Sequence, residues 1–169
     1  MTKAKHKSGF TLVELIIVVG IIGIMAAATY PAVMNALRSR GLEGAARDIS
    51  MDLNRAKIMA VKTKTNTRLV FAQEEGKPWT YVLEKESVAG TWTTVGGALK
   101  KTIPAEFRVT INLPDQSVVF SPLGLVENYA AGQNSISLES PRMKRYNQPD
   151  VRNLNIYAGG SVQYVRTSS

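Results

Sequence analysis

The chain has 169 residues, 44% hydrophobic and 20% charged, with a formal net charge of +8, one histidine and no cysteine. Neither a disulfide nor a thiol nucleophile is available, so a domain outside the cytoplasm would hold by packing alone. Beyond a basic head and a long helix, the remaining length suits one globular domain rather than two.

Residues 1–9, MTKAKHKSG, form a short head with Lys3, Lys5 and Lys7 and no acid. Residues 10–28 are then apolar, small or uncharged, apart from Glu14. That run approaches the roughly 20 residues an α-helix needs to cross a bilayer core. An ordinary secretory signal would have an apolar core of about 7–15 residues before a small-residue cleavage site. Ala26, Ala27 and Ala28 could imitate that site. The run is long for such a core, however, and Glu14 falls inside it. A carboxylate at a helix centre in lipid costs about 2.5–3.5 kcal/mol, less near the interface. Glu14 therefore marks a functional position in need of a partner. The head lysines predict a cytoplasmic N-terminus by the positive-inside rule, although Arg38 and Arg40 make the asymmetry modest. Gly20, Gly23 and Ala26–Ala28 leave small surfaces suited to close helix packing in lipid; a generic anchor also tolerates single glycines. Residues 10–30 thus read as a transmembrane helix.

Pro31 lacks a backbone donor and crowds the carbonyl four residues back, which predicts a kink in a continuing helix. Beyond it, Val33, Leu37, Leu42, Ala46, Ile49, Leu53, Ala56 and Ala60 recur at three-to-five-residue spacing, with charged residues largely between them. The pattern predicts an amphipathic helix over 31–65, ending near Lys62 to Thr65 with one buried stripe. From Phe10 such a helix would be roughly 80 Å long. Asp48 and Asp52 share a face but have no third ligand nearby. They read as solvated acids beside Arg47 and Arg55 rather than as a metal pair.

From residue 66 the apolar period changes to two, in TRLVFA (67–72), WTYVLE (79–84), FRVTINL (107–113), SVVF (117–120), SISLE (135–139), RNLNIY (152–157) and SVQYV (161–165). Gly76-Lys77-Pro78 and Gly96-Gly97 read as turns, Ser121-Pro122-Leu123-Gly124 suits a type I turn, and Gly159-Gly160 signals a hairpin. The fold class is α+β: a long N-terminal helix against an antiparallel sheet or sandwich over 66–169.

The only histidine, His6, sits in the head, and there is no G-x-S-x-G elbow or phosphate-binding glycine loop. No catalytic residue, metal site or cofactor is expected, and the chain does not read as an enzyme. A binding module is the other class to weigh. Arg142, Lys144 and Arg145 cluster with Tyr146, and Arg152 follows, in a stretch containing Pro141 and Pro149. Basic groups flanking an aromatic can hold phosphates and stack a base, as in DNA binding. A solvated basic loop is the plainer alternative.

Gly9-Phe10-Thr11-Leu12-Val13-Glu14, followed by the apolar helix, resembles the class III signal of type IV pilins and of the pseudopilins of type II secretion. The resemblance implies cleavage after Gly9 by a membrane-embedded prepilin peptidase and N-methylation of Phe10. Residues 1–9 would then be a leader, and the apolar helix would be kept as membrane anchor and later filament core. Glu14 matches the family's glutamate at the fifth mature position, and Pro31 follows the pilin pattern. Cleavage would create an α-amino group with an unperturbed pKa of about 7.7–8, cationic after mono-methylation. A cation at a helix N-terminus and a lone carboxylate in lipid are both unfavourable. Pairing Glu14 with the Phe10 amine of a neighbour would relieve both and set the stagger between subunits. The alternative is a Glu14 that merely reaches the headgroup layer.

More loosely, AARDISMDLNRAKIMAVKTKT with RLVF, then VVFSPLG and NLNIYAGGSVQYV, look like the GspH/FimT-like minor pseudopilins and minor pilins. Residues 86–106 and 140–150 match no part of that pattern, and neither the calcium-site pattern of major pseudopilins nor the disulfide-closed loop of many major pilins is present. The resemblance implies a minor subunit at or near a filament tip. The implied partners are prepilin peptidase, other pilins or pseudopilins, an inner-membrane assembly platform and, before assembly, membrane lipid. The C-terminal domain would lie on the periplasmic side of a bacterial cytoplasmic membrane. Some FimT-like minor pilins are DNA receptors, which adds DNA as a partner for the basic loop.

Overall fold

The computed structural model describes residues 10–96, 99–144 and 148–168, and the chain divides into two compact units, Met1–Leu37 and Arg38–Ser169. Helix α1 runs from Leu12 to Thr63 and contributes to both. In the first unit it is the element described, and its apolar side chains are exposed. In the second unit it buries Leu42, Ala46, Ile49, Leu53, Ala56 and Ala60 on one stripe, as an amphipathic helix must. The stripe expected from Val33 onward begins later, because Val33 and Leu37 are exposed and Leu42 is the first fully buried position. The helix ends where Lys64 takes a left-handed φ of 56°, a conformation that cannot propagate an α-helix.

Among the described residues nine strands follow: β1 (Thr67–Ala72), β2 (Thr80–Val88), β3 (Thr91–Thr94), β4 (Lys101–Thr102), β5 (Arg108–Asn112), β6 (Ser117–Phe120), β7 (Ser135–Glu139), β8 (Val151–Ile156) and β9 (Val162–Thr167), with a one-turn helix α2 (Pro141–Lys144) between β7 and β8. They form two antiparallel sheets. One has the order β3-β2-β1-β6, with β4 also pairing β2; the other is β5-β7-β8-β9. Register follows the period-two pattern. Leu69 faces Leu83, Phe71 faces Tyr81 and Ile136 faces Leu154, so each pair sends its side chains to one inner face. Phe71 and Tyr81 meet with ring centroids 5.5 Å apart. These residues, with the α1 stripe, Phe107, Val118, Phe120, Leu138 and Ile156, make one contiguous core.

The fold is therefore the expected α+β arrangement of a long helix packed on antiparallel sheets. Strands β3 and β4 lie in 86–106, where no strand was expected. Their exposed TWTT and KT carry little period-two signal, since little of either faces the core.

Polar ties fix the helix on the sheets. The buried Thr67 hydroxyl donates to the Ala56 carbonyl at 2.7 Å, so β1 is pinned about two turns from the end of α1. Lys57 Nζ donates to the carbonyls of Gly159 and Gly160, at 3.2 and 3.1 Å, tying α1 to the β8–β9 turn. Gly160 has a φ of 71°, and a Cβ there would collide with the Gly124 carbonyl. Only glycine fits. Asn128 clips the free edge of β6: its Oδ1 accepts from Val119 N–H and its Nδ2 donates to the Ser117 carbonyl, both at 2.9 Å. That covers an edge which would otherwise be open for pairing.

Candidate functional site: the N-terminal helix

Phe10 precedes the helix and is 77% exposed. Thr11 is the cap: its Oγ1 accepts from the backbone N–H of Glu14 at 3.2 Å, and its carbonyl accepts from Leu15. Thr11 and Glu14 have the T-x-x-E spacing of a capping box, so one orphan donor of the first turn is satisfied by a side chain. Glu14 thus lies in the first turn, where a carboxylate also suits the positive end of the helix dipole. The signature of this cap lies in the sequence itself, in the Thr11–Glu14 spacing. Gly9 lies outside the described residues, as do the head lysines and His6.

The next five turns hold no buried side chain, and the most apolar window has a mean hydropathy of 2.5. By length and composition α1 can cross a membrane. Gly20 and Gly23 have open space where a Cβ would sit, so their small faces are free. The helix continues through Pro31 rather than ending there. Just before it, the Thr29 hydroxyl turns back onto the carbonyls of Met25 and Ala26, at 3.0 and 3.2 Å. Such back-bonding accepts a polar hydroxyl within an apolar helix and loosens the ladder near the proline.

These residues can be compared with known families. Residues 4–30 match the family model described as the prokaryotic N-terminal methylation motif. The chain carries a pilin-type prepilin signal. The motif implies processing by a prepilin peptidase and assembly with other pilins, and with the apolar helix it fits a single-pass membrane anchor. No curated protein and no solved structure matches the chain.

Among the described residues, the second candidate group is divided between surface and interior. Arg142 and Lys144 lie on α2 and are both exposed, with Met143 anchoring the turn in the core. Arg145 and Tyr146 lie outside the described residues, and so does Gly97 of the expected Gly96-Gly97 turn. Arg152 was expected on the surface with this group and is instead 0% exposed. The reason is register: β8 buries alternate residues, and Arg152 shares the inward face with Leu154 and Ile156.

Asp52 also departs from expectation. It is 8% exposed and not solvated, because it lies on the edge of the buried stripe. Its Oδ2 accepts from the Tyr81 hydroxyl at 3.0 Å and from Lys101 Nζ at 2.6 Å. The bond to Lys101 ties β4 to α1. Burial pushes the Tyr81 phenol far above its ordinary value, and the adjacent Asp52 charge adds to that. Together with Arg55 and Leu99 these groups line a pocket of about 140 Å³. Asp52, Tyr81 and Lys101 partner one another there, so the arrangement reads as a structural tie.

Proposed function

We propose that this protein is a minor pilin or pseudopilin, a structural subunit of a type IV pilus or a type II secretion pseudopilus acting in filament initiation or at the tip. The observation that carries the reading is the methylation motif at residues 4–30, running into a capped apolar helix with no buried side chain in its membrane-length window. Prepilin peptidase cuts between Gly9 and Phe10 and methylates the Phe10 amine. Glu14 then meets that amine on a neighbouring subunit, which removes two uncompensated charges from lipid and sets the axial step. Pro31 kinks the helix between its lipid-facing and domain-facing parts. An inner-membrane assembly platform extracts the subunit from lipid, with the C-terminal domain held on the periplasmic side. The GspH/FimT-like resemblance of the second unit supports a minor rather than a major subunit.

The deciding experiment is the intact mass and N-terminal sequence of membrane-extracted protein made with and without a prepilin peptidase. A chain that starts at N-methylated Phe10 only when the peptidase is present supports the reading. A start near Ala28 makes it an ordinary secreted domain, and an uncut chain makes it a static anchor. A Glu14→Ala chain should still be cut, yet fail to enter filaments.

The DNA-uptake alternative keeps Arg142 and Lys144 at the surface and loses Arg152 to the interior. Its test is DNA affinity that falls steeply with salt and is lost on neutralising Arg142, Lys144 and Arg145.

A further inference from the structure

Arg152 on β8 and Arg166 on β9 are direct partners across the ladder, so their side chains leave the same face of the sheet. Like charges placed directly opposite repel, and here one of the two is fully buried. Arg152 Nη1 donates to the carbonyls of Pro149 and Val151, at 2.9 and 3.1 Å. Its Nε and Nη2 are buried without any hydrogen-bond partner. A guanidinium cannot shed its charge to escape this situation, and native interiors leave few such donors empty.

The anions nearby do not fill the gap. Glu43 on α1 lies in the field of Arg152 and Arg166, but its Oε1 is held by Arg47 at 2.7 and 3.0 Å. Asp150 is two residues before Arg152 and equally deep, yet it bonds to neither empty nitrogen. Arg166 is exposed on β9, the edge strand of its sheet, so the Arg166 end of the pair faces solvent while the two Arg152 nitrogens lie inside.

We propose that a phosphate-class oxyanion seats between Arg152 and Arg166, accepting hydrogen bonds from Arg152 Nε and Nη2 and from the Arg166 fork. Two guanidiniums on adjacent strands match a tetrahedral dianion, which has oxygens to offer on both sides. The seat is distinct from the basic residues of α2, and it rests on the packing of the second unit rather than on the filament reading. Free phosphate and a lipid phosphate present the same chemistry.

The test uses the full chain in neutral-detergent micelles, with the melting temperature followed against inorganic phosphate while sodium chloride holds the ionic strength constant. Wild type should show a saturable rise, as expected when a ligand binds the folded state alone. Arg166→Gln, at an exposed position, should fold normally and require at least about tenfold more phosphate, since one of two charged forks is gone. Arg152→Met should lose the response and keep or raise the basal melting temperature, because an apolar side chain replaces a partly unpartnered buried charge. A second series adds phosphatidic acid to the micelles. A rise seen only there, and lost in both variants, assigns the seat to a lipid phosphate. No rise with either source, or a rise that survives Arg166→Gln unchanged, overturns the proposal.

Discussion

One helix serves two surroundings in this protein. Over Leu12–Leu37 its large apolar residues point outward, Leu12 at 73% and Ile24 at 73% exposed. Over Leu42–Ala60 one apolar stripe is fully buried against two sheets, while Met51 and Ile58 on the other faces stay exposed. Mean apolarity is higher in the half that buries nothing. In water that would be an aggregation hazard, so the apolar half is built for another solvent or for other helices. The contrast separates anchoring from folding, and substitutions can test that separation.

The largest effect should come from pairing a substitution in each half. Leu53→Ala removes a fully buried side chain and should cost about 2–5 kcal/mol, read as a lower melting temperature of the C-terminal domain. Ile16→Ala deletes a comparable side chain from the exposed half and should leave that melting temperature unchanged. Membrane retention should respond in the opposite order. If Ile16→Ala melts the domain as Leu53→Ala does, the two halves are not energetically separate.

Asp52→Ala comes next. It strips both Tyr81 and Lys101 of their partner and should cost about 1–3 kcal/mol, less than a fully enclosed pair because Lys101 is half-exposed. Proteolysis between β3 and β4 should accelerate, since the tie from β4 to α1 is lost. The same site sets an alkaline limit. Burial holds the folded-state Tyr81 phenol far above its ordinary value of 10.0, so its contribution is intact below that pH and is lost as pH rises beyond it. A Tyr81→Phe chain should lose this alkaline dependence, checked by melting temperature across alkaline pH.

The helix, the stripe positions from Leu42 to Ala60 and the existence of most strands were legible from apolar spacing, whereas the late start of the stripe and the order of the strands were not. Leu69, Phe71, Tyr81 and Leu83 alternate, and they pair as alternation demands. The prepilin signal was legible because its residues are contiguous. The fates of Asp52 and Arg152 were not. A charged residue at an inward position breaks the pattern from which burial is read, and only the pairing of β8 with β7 and β9 puts Arg152 inside. Arg166 and Glu43 gave no local signal: Arg166 meets Arg152 only through the β8–β9 register, and Glu43 lies on a helix far earlier in the chain. Strand β4 is two residues long and exposed, too short for any period to register.

Within the apolar half, Thr11→Ala should remove the cap on the first turn and cost about 1 kcal/mol locally. Faster amide exchange confined to residues after Phe10, with the domain melting as before, would sharpen the division between halves. A change in domain stability would blur it.

The smallest effect concerns Glu43, just inside the half of α1 that packs on the sheets. Its carboxyl is held below the ordinary value of 4.5, first by the hydrogen bond from Arg47, against a small opposing cost of burial, and then by the fields of Arg47, Arg152 and Arg166. A depressed carboxyl value stabilises the folded chain above the unfolded value, and that stability disappears as pH falls through the folded one. Glu43→Gln should therefore lower the melting temperature slightly at neutral pH and have no effect in acid well below 4.5. The pair is largely exposed, Arg47 at 67%, so added salt should shrink the neutral-pH difference. Substituting the arginines apportions the cause. Arg47→Gln should raise the Glu43 titration, followed by carboxyl carbon NMR, more than Arg166→Gln does. The reverse order would mean that Glu43 has turned from Arg47 toward the β8–β9 pair, and its own carboxylate would then be the anion between the two strands.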